Sequence, residues 1–104
     1  MKKVIRVIVK NPGESATDEI IPNTLKALQD LVGGHIEVVK IFDDAVIICN
    51  EEGRLMGLPH NCEICGCDFV GTIVIAGTRG EDFTDVPLRA QMAREIRLIK
   101  EAYE

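Results

Sequence analysis

The chain contains no tryptophan, a single tyrosine and three phenylalanines among its 104 residues. A core so poor in aromatics must be filled by aliphatic side chains, and Val, Ile and Leu dominate the 46% hydrophobic content. An excess of positive charge is lacking too, since the formal net charge is -5. Phosphate backbones and anionic lipids repel such a chain at long range, which disfavours nucleic acid and membrane surfaces as partners. No stretch approaches the roughly 20 apolar residues of a membrane-spanning helix. The stretch "MKKVIRVIVKNPGE" begins basic and apolar, but Arg6 and Lys10 interrupt it and no small-residue cleavage site follows, so it reads as a strand and not as an export signal. A cytoplasmic location is expected, where four cysteines serve as thiols or metal ligands more often than as a disulfide framework.

The length suits one domain, residues 1–104. In "KVIRVIVK" Ile5, Val7 and Val9 fall on one face and Val4, Arg6, Ile8 and Lys10 on the other, the pattern of a strand. "NPGES" is rich in turn formers, and "ATDEII" can return as a second strand. Asn23 or Thr24 can cap a helix in which Leu25, Leu28, Leu31 and Val32 recur at helical spacing, and Gly33 can stop it. "HIEVVKIF" and "AVIICN" read as a second hairpin around Asp43 and Asp44. "RLMGLPHNCEICGCD" has no steady period and reads as an irregular loop, long enough to hint at function. "FVGTIVIAG" resumes as a strand. A last helix is expected from about Pro87 to Tyr103, capped by Thr84 or Asp85, with Leu88, Met92, Ile96, Ile99 and Tyr103 as its apolar stripe. The order strand-strand-helix-strand-strand-loop-strand-helix points to a small α+β domain with a mixed or antiparallel sheet. It is similar to the β-grasp arrangement of ubiquitin-like domains, a likeness of fold that carries no function.

The densest chemistry lies in "LPHNCEICGCDFVG", where His60, Cys62, Cys65 and Cys67 fall within eight positions. A Cys-x2-Cys spacing lets a tight turn aim two thiolates at one tetrahedral ion, and Gly66 would help the backbone bend, so zinc is one reading. Against it, a second such knuckle is missing, and four ligands this close would be strained unless Cys49 or a second chain supplied one. The cysteines can equally serve as small semi-buried apolar side chains. Redox work ranks last, because the pair does not open a helix whose dipole would acidify a thiol.

A second candidate is the polar stretch "NEEGRLMGLPHN". Asn50, Glu51, Glu52 and Gly53 precede Gly57, Leu58, Pro59 and Asn61 in an expected exposed loop, a sensible place for recognition, though a solvated turn has the same composition. Glu51 and Glu52 are adjacent and would point to opposite faces, so they make a poor acid–base pair. Arg89, Arg94, Arg97 and Lys100 make the end of the chain locally basic, but Glu95 and Glu101 intervene, as on a solvated face. His35 stands alone at a strand start and reads as structural. No Walker loop, Rossmann glycine pattern or nucleophile elbow is present.

Taken together, Val32 to Gly34, Asn50 to Gly53, Gly57 to Asn61, Thr72 to Gly77 and Asp82 to Thr84 resemble the pattern of the bacterial and phage domain of unknown function 3846, over most of the chain. The resemblance implies a protein carried by phages, plasmids and integrated elements, with no activity to transfer. Its pattern includes Asn50, Glu51, Glu52, Gly57, Pro59 and Asn61 but not the cysteines, so a shared site would sit on the 50–61 stretch. The expectation is a non-catalytic binding module, oligomeric, presenting that stretch to a protein or small molecule. Sequestration of a nucleotide-type signal and a zinc-stabilised interaction domain are the alternatives. An enzyme is not expected, because no acid, base and oxyanion groups assemble.

Overall fold

The structure is a computed structural model that describes residues 3–87 and the strand at 99–101. Two hairpins build its main sheet. β1 (Val4–Lys10) pairs antiparallel with β2 (Thr17–Pro22) through the expected turn at 11–15. β3 (Ile36–Phe42) pairs with β4 (Ala45–Asn50) around Asp43 and Asp44, with a bulge at Ile41. Between them Thr24 caps α1 (Leu25–Val32), its hydroxyl accepting the Ala27 N–H at 3.1 Å. Gly33 ends the helix in the left-handed conformation at φ 81°, which costs glycine little. The helix buries Leu28 and Val32, whereas Leu25 is 57% exposed, so the apolar stripe is narrower than the leucine spacing suggests.

β7 (Ile73–Arg79) lies between β1 and β4 and gives the order β2-β1-β7-β4-β3, with β8 (Asp82–Thr84) folded back on β7. This β7–β8 hairpin was not apparent from the sequence. Beyond it, Asp85 and Val86 continue along β1: the Arg6 N–H donates to Asp85 Oδ1 and the Val86 N–H to the Arg6 carbonyl, each at 2.8 Å. Thr84 thus sits in a strand and Asp85 caps a strand backbone, where either was expected to open a helix.

A second, three-stranded sheet of order β6-β5-β9 covers the other face: β5 (His60–Ile64), β6 (Cys67–Val70) and β9 (Ile99–Glu101). Of the final helix expected over 87–103, residues 88–98 and 102–104 lie outside the described residues. Ile99–Glu101 is a strand, antiparallel to β5, which satisfies β5's second edge.

The main sheet is therefore the middle of three layers. Ile5, Val7, Val9, Ile48 and Val74 pack with Leu28 and Val32 under the helix. Ile8, Ile47, Ile73 and Ile75 pack with Cys62, Ile64 and Phe69 under the small sheet. Every residue of β4 is buried, which explains why "AVIICN" is a continuous apolar run and does not alternate. Fully burying each aliphatic side chain stabilises the fold by about 1.5–3 kcal/mol. The architecture is sheet-dominated, and every pairing is antiparallel. A β-grasp sheet sets its first and last strands side by side and parallel, whereas β1 and β7 run antiparallel here.

Candidate functional site

The stretch expected to be an irregular loop is built of regular pieces. Asn50 ends β4, and its Oδ1 accepts the Glu52 N–H at 2.8 Å while its carbonyl accepts the Gly53 N–H at 3.2 Å. The chain then makes one helical turn, closed by Gly57 N–H to Arg54 O at 3.1 Å and Leu58 N–H to Gly53 O at 3.0 Å. That bond pair is a Schellman motif, and Gly57 at φ 69° supplies its left-handed residue. "NEEGRLMGL" is thus a single turn capped at both ends. The Asn50 amide also reaches the Val32 carbonyl at 3.1 Å, satisfying an acceptor orphaned at the end of α1. A Cβ on Gly34 would stand 3.0 Å from that amide, so the pair of glycines after Val32 stops the helix and makes room for Asn50.

"GLPHN" is bound just as tightly. The Pro59 carbonyl accepts the Gly71 N–H at 2.8 Å. Leu58 covers Gly71 closely enough that a Cβ there would lie 2.7 Å from Leu58 Cδ1. Asn61 sits at a bulge between His60 and Cys62, which turns it and Cys62 inward together. Its amide donates to Lys10 O at 2.8 Å and Gly71 O at 2.7 Å, tying β5 to the ends of β1 and β6. Asn50 is 6% exposed and Asn61 1% exposed. The two asparagines expected to face a ligand are inside the protein, with their amides committed to backbone carbonyls. Gly53 is buried as well, whereas Glu51, Glu52, Leu55 and Met56 are exposed.

The cysteine cluster does not converge. Ile64-Cys65-Gly66-Cys67 is a two-residue hairpin whose central residues both have positive φ, 51° and 83°, as in a type I′ turn. Cys62 points into the core at 0% exposure, while Cys65 and Cys67 are exposed on the turn. Asp68 Oδ1 accepts from His60 Nε2 at 3.3 Å across the hairpin. Among the described residues no three His, Cys, Asp or Glu side chains are placed to hold a metal ion. His60, Cys62, Cys65 and Cys67 are therefore not brought around one ion within the chain, because Cys62 points into the core while the other three lie on the exposed side of the hairpin.

The residues that do come together surround a cleft of about 280 Å³ between β3, β6 and the 50–57 turn. Its walls include Glu37, Cys49, Arg54, Leu55, Asp68 and Phe69. Arg54 is held across it by donating from Nη2 to the Asp68 carbonyl at 2.9 Å. Burial first, and the Glu37 carboxylate second, push the Cys49 thiol above its ordinary value, while Arg54 pulls it down. The lining of the cleft is net acidic, with Glu37, Glu51 and Asp68 against a single arginine, Arg54. On its lip Leu55 is 87% exposed, and beside it Met56 is 56% exposed. Glu37, Arg54, Leu55 and Phe69 escaped the sequence reading, whose only usable signal was the apolar pair Leu55-Met56 inside a polar turn.

The family described as "Domain of unknown function (DUF3846)" matches residues 5–100. No curated protein and no solved structure matches the chain.

Proposed function

Because the chain belongs to the DUF3846 family, whose description assigns no activity, we propose from its site geometry that it is a non-catalytic binding module. Its recognition face is the acidic cleft and the Leu55-Met56 lip, and its partner is another protein. The observation that carries this reading is the exposure of Leu55 on a turn capped at both ends, at the mouth of a cleft. A large aliphatic side chain held in water by a rigid backbone is unfavourable for the isolated protein and useful to an interface. The backbone supports this from beneath: Asn50, Gly53 and Gly57 build the turn and Asn61 anchors the strand that follows it, so Leu55 and Met56 are presented from a fixed frame. A nucleotide-type anion is the less favoured occupant, since three carboxylates line the cleft against one guanidinium. The partnership would serve a mobile element that carries the protein.

A photo-crosslinking residue in place of Leu55, expressed in cells, should give discrete adducts that are absent when the same residue replaces Lys26 on the exposed face of α1. Adding Glu37→Lys should remove them. Identical adduct patterns from positions 55 and 26 would sink the reading.

A further inference from the structure

The two edges of the main sheet differ. Both edges carry charges, Asp18 and Glu19 on β2 and Glu37 and Lys40 on β3, but β2 also ends at Pro22, which has no N–H to offer a further strand. β3 has no proline, and its unpaired length runs from Ile36 to Lys40 before the bulge at Ile41. The Glu51 N–H donates to the His35 carbonyl at 2.8 Å, which fixes the phase of the ladder. Bonded and non-bonded pairs alternate in an antiparallel pair, so Glu37–Cys49 and Val39–Ile47 are the bonded ones. The N–H and C=O groups of Ile36, Val38 and Lys40 therefore point away from β4. Among the described residues β3 pairs only with β4.

This outward edge adjoins the cleft. Glu37 and Val39 lie on the small-sheet side and line it. Val38, 45% exposed, lies on the helix side. A strand added to β3 would place alternate side chains against Glu37 and against Val38. We propose that the β3 edge takes an extended segment of a partner protein as an additional antiparallel strand. That segment carries a basic side chain opposite Glu37 and an aliphatic one opposite Val38. Main-chain bonds to Val38 supply attachment, and the acidic cleft with its Leu55 lip supplies selection. The proposal rests on the reading of the cleft as the recognition face and specifies its partner.

The probe is a short synthetic peptide alternating lysine and valine, titrated into the isotope-labelled full chain and followed by amide NMR and fluorescence anisotropy. The expected result is saturable shifts at Ile36, Val38 and Lys40 together with Leu55 and Phe69. Val38→Pro removes an outward N–H without touching the β4 ladder, a substitution that edge strands tolerate, and should weaken binding about tenfold. N-methylating the peptide on the nitrogens that would face β3 should do the same with the protein unaltered, which covers the case of a misfolded Val38→Pro. Glutamate in place of the peptide's lysines should abolish binding. Shifts confined to Leu55 and Phe69, with N-methylated peptide binding equally well, would overturn the added strand and leave the cleft reading standing. No shift at either place would overturn both. Concentration-dependent shifts at β3 without peptide would mean that a second copy of the chain occupies the edge, and would overturn the proposal.

Discussion

The side-chain amide of Asn50 donates to the carbonyl of Val32 at 3.1 Å and so joins the end of the helix to the start of the 50–57 turn. Its other atom, Oδ1, starts that turn by accepting from Glu52 N. Asn50→Ala removes both bonds, and with them the amide's weaker contact with Met56 Sδ at 3.6 Å, at a site that is 6% exposed. A lost cap costs about 1 kcal/mol and a stranded buried acceptor about 1–3 kcal/mol, so a loss of about 2–4 kcal/mol is expected in urea denaturation. Asn50→Asp should recover only part of it, because a carboxylate keeps the bond to Glu52 N but cannot donate to Val32. Equal stability of the alanine and aspartate variants would contradict this division of labour.

Asn61→Ala strands the carbonyls of Lys10 and Gly71 at the junction of the two sheets. Each was bonded within the interior, so the expected loss is about 2–4 kcal/mol, with protection of the β5 and β7 amides in hydrogen exchange falling together. A variant that lost binding to a partner while keeping full stability would show that Asn61 reads a ligand after all.

What the sequence disclosed follows from which layer a residue serves. β1, β2, α1 and the β3–β4 hairpin obey local rules of alternation, capping and turn composition, and they stand where those rules put them. "HNCEICGC" hid its hairpin for two reasons. The bulge at Asn61 breaks the alternation, and the type I′ turn uses Cys65-Gly66 where Asn-Gly is the familiar signal. "FVGTIVIAG" read as one strand because nothing local shows that Gly71, at φ 71°, divides β6 from β7. The motif asparagines looked like ligand-binding residues because a polar residue in a glycine-rich stretch has the same appearance whether it faces water or a buried carbonyl. Only tertiary contact separates the two cases. The cleft depends on β3, β6 and the 50–57 turn meeting across more than thirty positions of sequence, so no local pattern announces it.

Gly71 and Leu58 should be energetically coupled. Alanine at 71 meets both a left-handed backbone, costing about 1–2 kcal/mol, and the Leu58 side chain. Trimming Leu58 to alanine removes the second obstacle but not the first. In a double-mutant cycle the combined loss of stability should therefore fall short of the sum of the single losses by at least about 0.5 kcal/mol. Strict additivity would mean that Leu58 moves aside without cost and is not packed as the structure has it.

The four cysteines should react in two classes. Cys65 and Cys67 are exposed and Cys49 and Cys62 are buried, so a thiol reagent under native conditions should modify two rapidly and two only on unfolding. Cys49 adds a pH dependence whose sign is fixed by its surroundings. Burial and Glu37 raise its pKa in the folded state, so the folded protein holds this proton where the unfolded chain has released it. Stability from the neutral thiol is complete below the ordinary thiol pKa of about 8.5 and is lost progressively as pH rises beyond it. Urea denaturation from pH 7 to pH 10 should show wild type losing more stability than Cys49→Ala, so that the gap between the two narrows with rising pH. A gap that stays constant would mean that the Cys49 thiol ionises as readily in the folded protein as in the unfolded chain, and that the wall of the cleft beside Glu37 is wet.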